Sequence, residues 1–214
     1  MQMSWSALAG LAAVMLAGSA AADPAENDLR QFRVGMPVAE LPSHGYVDLA
    51  CSSSPERTLK GWGDYALCPA DGRGLHGVSF RYDESEYPLA AMDDRYEGTK
   101  VAGHPVTLTL LIGNDRSVDG LEIATDPKAR LYLRKKAFLF AGQVKSRYGQ
   151  EGWTCTGQQP AGDEEPVGGV FVKEHCEKKA DQRHFILESE LFRHAGQDLK
   201  DFVSGARLTI LHAG

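Results

Sequence analysis

Val106-Thr107-Leu108-Thr109-Leu110-Leu111-Ile112-Gly113-Asn114-Asp115 is the stretch that decides the fold class. Val106, Leu108, Leu110 and Ile112 alternate with Thr107 and Thr109, the period of two expected of a strand with one buried face. Gly113-Asn114-Asp115 supplies a turn, and Leu121 and Ile123 mark the returning strand, so the segment reads as an antiparallel hairpin. Upstream, Val78, Phe80 and Tyr82 alternate with Ser79 and Arg81, behind the turn signal Asp71-Gly72-Arg73-Gly74. Tyr46, Val47 and Leu49 lead into Cys51 as an extended run. A polar loop over 52–60 and a second strand over 62–68 are expected to follow. Downstream, strands are expected near 170–175, 184–192 and 206–212.

Helical signals are fewer. Asp126-Pro127 reads as an N-cap with Pro at the first helical position. Leu133, Ala137, Phe140, Val144 and Tyr148 then recur at helical spacing, and Gly149 suits a left-handed C-terminal residue. One long helix over 127–148 is predicted. Phe32 with Met36, and Val34 with Val38 and Leu41, predict a short helix over 36–41 that Pro42 ends. Residues 23–31 are polar and read as a frayed start.

Residues 1–22 read as an export signal: Leu8 to Leu16 is almost wholly apolar, and Ala20-Ala21-Ala22 offers the small residues of a cleavage site. The run is shorter than the roughly 20 residues a spanning helix needs. The remaining chain is long enough for one large domain or two small ones. Its net charge of −6 lacks the basic footprint of nucleic-acid binding. Four cysteines behind an export signal argue for disulfides in a compartment such as the periplasm of a Gram-negative bacterium. Three pairings are open, and proximity favours Cys51–Cys68 and Cys155–Cys176. Each would close a loop of about 20 residues, removing roughly 3 kcal/mol of unfolded-chain entropy.

The two halves share an order: helix, Cys, loop, Cys, then strands, each half closing on Leu-Thr (Leu108-Thr109 and Leu208-Thr209). The expectation is an α+β protein of two helix-plus-antiparallel-sheet units, 23–126 and 127–214, each with one disulfide and related by tandem duplication. Phe32-Arg33-Val34-Gly35-Met36-Pro37-Val38-Ala39-Glu40-Leu41 resembles the helix-start motif of the beta-lactamase-inhibitor-protein and BamE (SmpA)-like superfamily, with Pro37 where that motif has Thr. The second half lacks Gly-Met. The resemblance implies a helix-on-sheet module that works as a binding surface and not as an enzyme.

Chemistry-bearing residues are scattered. Asp83, Glu84, Glu86, Asp93, Asp94 and Glu97 form an acidic segment whose carboxylates suit a hard cation, Ca²⁺ or a lanthanide, although no EF-hand spacing is present. Asp163, Glu164 and Glu165 form a second group, and a solvated loop is the plainer reading of both. The seven histidines show no HxxxH or HxH spacing. Ser52-Ser53-Ser54 lacks the nucleophile elbow, no phosphate loop occurs, and no catalytic residue is assigned. Trp62, Tyr65, Tyr82, Tyr87, Tyr96 and Trp153 suit a binding surface or the cap of a small core. The leading expectation is a non-catalytic binding or accessory protein whose sheet face or loops meet another periplasmic protein or a small ligand. A metal-binding protein using Asp83–Glu97 comes second, and an enzyme with a site assembled between the halves third. Peptide mapping without reductant is expected to recover Cys51 linked to Cys68 and Cys155 to Cys176; links between the halves would refute the pairing.

Overall fold

The computed structural model describes residues 27–83, 99–198 and 200–213. Eleven strands form one antiparallel sheet: β1 (Tyr46–Cys51), β2 (Ser54–Thr58), β3 (His76–Tyr82), β4 (Lys100–Val101), β5 (His104–Ile112), β6 (Val118–Thr125), β7 (Thr154–Gly157), β8 (Glu164–Glu165), β9 (Val172–Ala180), β10 (Arg183–His194) and β11 (Val203–His212). Their order is β2-β1-β3-β5-β6-β11-β10-β9-β7, with β4 on β5 and β8 on β10. Two meanders therefore meet at β6 and β11, the last strand of each half. The predicted hairpin forms as β5 and β6, pairing from Val106↔Thr125 to Ile112↔Val118.

The expectation of two helix-plus-sheet units is overturned. The sheet runs without a break across residue 126, and among the described residues only the second half carries α-helix: α1 (Leu131–Arg134) and α2 (Phe140–Arg147). The predicted helix over 127–148 is interrupted by a 3₁₀ turn, Ala137–Leu139. Residues 127–129 stay in a turn in which the Asp126 carboxylate accepts from Lys128 N–H at 2.8 Å. Ser189 Oγ donates from the sheet to the Phe138 carbonyl at 3.2 Å, giving the broken backbone a partner a regular helix would not need. Phe140, Ala141 and Val144 are buried, whereas Leu131, Tyr132 and Leu139 are exposed. The apolar residues thus do not lie along one stripe, and no single face holds a continuous helix on the sheet.

The short helix expected over 36–41 is a single 3₁₀ turn, Val38–Glu40. The reason lies across the chain: Gly35 N–H donates to the Val118 carbonyl, Val118 N–H to Met36, and Val38 N–H to Arg116, which ties 35–38 to the start of β6 and the turn before it. Gly35 has a φ of +86°, a conformation glycine adopts without cost. The strand expected over 62–68 is a 3₁₀ helix, Trp62–Leu67. Trp62 and Tyr65 stand three residues apart and both enter the core, the spacing a 3₁₀ helix brings to one side. The expected loop over 52–60 contains edge strand β2, and the frayed start is not frayed at Asp28 and Leu29, each 4% exposed.

Both disulfides form as paired from sequence proximity: Cys51–Cys68 and Cys155–Cys176. The first ties the 3₁₀ segment to β1 and is buried. The second joins register partners on β7 and β9, stapling an edge strand to its neighbour. One sheet face is covered by the N-terminal segment, the Trp62–Leu67 turn and the helices. Leu108, Ile123, Leu208 and Leu187 form a cross-strand row on that face, none more than 1% exposed. Leu208→Ala is expected to cost about 3–4 kcal/mol in chemical denaturation. Its neighbour Arg207 faces the other way, and Arg207→Gln is expected to cost no more than about 0.5–1 kcal/mol.

Candidate functional site

The buried residues of the helices and of the Trp62–Leu67 turn all join the core around Leu108, Ile123 and Leu208, and the middle of the second face is open. Because side chains alternate along a strand, every row beside the Leu108–Ile123–Leu208–Leu187 row belongs to this open face. One such row passes through Ser79, Thr109, Glu122, Thr209, Ile186, Glu177 and Thr154. A second passes through Thr107, Ala124, Arg207, Glu188, His175 and Thr156. These two rows consist of short polar residues, one isoleucine and a chain of charges, while toward its ends the same face carries Leu111 and Phe192, both buried. Gly120 lets Leu111 and Leu211 close over β6, since a Cβ there would lie 3.0 Å and 2.9 Å from them.

Ion pairs knit the charges across strands. Arg207 Nε lies 3.6 Å from Glu122 and its Nη1 3.9 Å from Glu188. Glu177 pairs with His175 Nε2 at 3.1 Å and His184 Nε2 at 2.9 Å, one through each carboxylate oxygen. Those two histidine bonds hold the Glu177 carboxyl below its ordinary value. Between β6 and β11 the Ala124 methyl and the bare backbone of Gly205 line an open depression of about 620 Å³, bordered by Glu122, Glu188, Glu190 and Arg207. The arrangement presents donors, acceptors and both signs of charge on a rigid sheet.

The expected site residues fall elsewhere. Asp83 follows β3, its N–H donating to the Gly45 carbonyl; Glu84, Glu86, Asp93, Asp94 and Glu97 lie outside the described residues, as do Tyr87 and Tyr96. Trp62, Tyr65 and Tyr82, expected at a binding surface, are core residues, each no more than 8% exposed. Phe32 gathers Trp62, Phe80 and Tyr82 around it at 5.7, 4.9 and 6.0 Å between ring centroids, and Trp62 Nε1 donates to the Pro42 carbonyl. Trp153 is half-buried against Phe185. The second acidic group is spent on neighbours: Glu164 pairs with Lys173, Glu165 with Arg193, and Asp163 lies 3.0 Å from His194 Nδ1. Backbone donation from Ala161, then Lys173, holds the Glu164 carboxyl low. Among the described residues, the one group with three metal-type ligand atoms close together is Cys155, Glu174 and Cys176, and both sulfurs there are used in the disulfide.

His175, Glu177, His184, Glu188 and Arg207 were not singled out from sequence. His175 and Glu177 do carry a signal, since residues two apart on a strand share a face; their meeting with His184 needs the β9–β10 register. No protein-family model matches the chain, and no curated protein or solved structure matches it.

Glu177 yields a pH prediction. Its carboxyl is lowered in the folded state from the ordinary 4.5, so between the folded and unfolded values the unfolded chain binds more protons. The stabilisation is complete above the unfolded value and is lost as pH falls through the folded one. Glu177→Gln is therefore expected to be less stable than the parent at pH 7 in urea, with the difference vanishing on acidification; a difference that persists in acid would contradict the pairing.

Proposed function

We propose that this chain is a non-catalytic binding protein of an oxidising extracytoplasmic compartment such as the periplasm, and that it engages another protein through the open face of its sheet. The observation that supports this most is the uncovered face itself. From β3 to β9 six strands at about 4.8 Å spacing span about 24 Å, and the nine residues of β5 extend about 30 Å. The product is on the order of 700 Å², close to one partner's share of a standard protein–protein interface. The depression at Ala124 and Gly205 gives that surface relief, and Arg207 is of a residue type that interfaces favour. A flat, ion-paired sheet face has little of the enclosure a small ligand or a reaction requires.

Two disulfides support the compartment, as does the apolar run at Leu8–Leu16. Among the described residues no helix is long and apolar enough to cross a membrane.

The test is capture by the immobilised protein from periplasmic extract of its source bacterium. A partner bound in stoichiometric amount is expected to be lost with Ala124→Arg, which puts a long cation into the depression, and with Glu188→Lys. It is expected to be retained with Lys200→Gln, an exposed change elsewhere. Capture that survives both face variants would remove the open face from the interaction.

A further inference from the structure

A separate cleft lies on the helix-covered side, at the end of the sheet where the β9–β10 hairpin, the C-terminal end of α2 and the N-terminal segment meet. It encloses about 580 Å³, and Arg33, Arg147, Lys178 and Arg183 line it, with Asp28 and Asp181 the only carboxylates among its lining residues.

Asp28 is already a carboxylate seated in this cleft. It is 4% exposed, takes Arg183 Nε at 2.5 Å and accepts from Val34 N–H at 2.7 Å. Its main-chain carbonyl accepts from the Tyr148 hydroxyl at 2.6 Å and from Arg147 Nη2 at 3.3 Å. Burial of the phenol raises the Tyr148 pKa, so it stays a donor at neutral pH.

Two of the cations, Lys178 and Arg147, are held by neutral acceptors instead. Lys178 Nζ donates to the Tyr148 and Gly149 carbonyls at 2.6 and 3.3 Å, which uses two of its three N–H groups. Arg147 donates through Nη2 to one carbonyl, leaving most of its fork of five N–H groups. Among the described residues neither has a carboxylate partner. Both are positioned by neutral acceptors and border the same cleft, with the Phe185 ring at their side. Carbonyl anchoring orients a cation without consuming its charge, which is the arrangement an oxyanion needs: preset donors and an unspent field.

We propose that this cleft binds a small oxyanion, a carboxylate- or phosphate-bearing molecule, with Arg147 and Lys178 as its primary contacts and Arg33 at the border. Asp28 fills the inner position and gives the cleft its shape.

The experiment is thermal unfolding of the purified chain in sodium phosphate or sodium citrate at tens of millimolar, against sodium chloride of matched ionic strength. Fluorescence of Trp153 serves as a second readout, because its ring lies 5.8 Å from Lys178 Nζ. One or both anions are expected to raise the melting temperature by about 3 °C or more and to change the fluorescence. The anion that acts identifies phosphate or carboxylate as the preferred group. Both responses are expected to disappear in Lys178→Gln and Arg147→Gln and to persist in Lys200→Gln. A purely structural role for the two cations would lower the starting melting temperature but leave the anion-induced shift intact. No shift with either anion, or an equal shift in the variants, would overturn the proposal. Should Lys178→Gln not fold, the exposed Arg147→Gln decides alone.

Discussion

Ile123 lies between Leu108 on β5 and Leu208 on β11, and the placement of every other element depends on that contact. It is where the last strand of one half meets the last strand of the other, and all three side chains are all but inaccessible to water. A one-residue slip at this seam would turn the buried row of one meander toward solvent while the other stayed in place. Burial of a leucine or isoleucine is worth about 1.5–3 kcal/mol, so several such rows set the register firmly. The surface ion pairs on the other face, each worth about 1 kcal/mol or less, follow that register and could not impose it.

With the seam in place, the division of labour between faces follows. One side receives the helices, the Trp62–Leu67 turn and the N-terminal segment, and there the aromatic cluster around Phe32 and the Leu108 row exclude water. The other keeps the alternate residues, and the same register that buries Leu187 brings Glu188 beside Arg207 and His184 to Glu177. The cleft at the end of the β9–β10 hairpin arises from a different constraint. Asp28 must be buried for the N-terminal segment to dock, and a buried carboxylate needs Arg183 and the Val34 N–H to offset its lost hydration. Arg147 and Lys178 gather at the same cleft, held there by main-chain carbonyls.

Expectations made from sequence succeeded where a local pattern and its burial agree. The β5–β6 hairpin, β3, the late strands and both disulfides are legible because alternation, turn residues and loop length are local properties. The long helix failed at Lys135 and Lys136, since helical spacing in Leu133, Ala137, Phe140 and Val144 says nothing of whether the sheet offers one continuous surface. The strand read over 62–68 failed because Trp62 and Tyr65, three residues apart, would point to opposite faces of a strand, whereas the 3₁₀ helix turns both into the core beside the Cys68 link. Trp62, Tyr65 and Tyr82 looked like contact residues because an aromatic near a loop carries no mark of which way it points.

The sequence by itself determined an antiparallel sheet, its hairpin and a chain without the charge of a nucleic-acid binder, and it favoured, among three open pairings, the two disulfides that form. It did not determine that the two halves share one sheet, or that among the described residues only the second carries α-helix. Both depend on β6 finding β11, about 80 residues away in the chain, and no local preference encodes a partner at that distance. The charged row on the open face and the cations around Asp28 are products of the same long-range register. Residues 175, 177, 184, 188 and 207, and likewise 28, 147, 178 and 183, become neighbours only when the strands and the helix that carry them are packed.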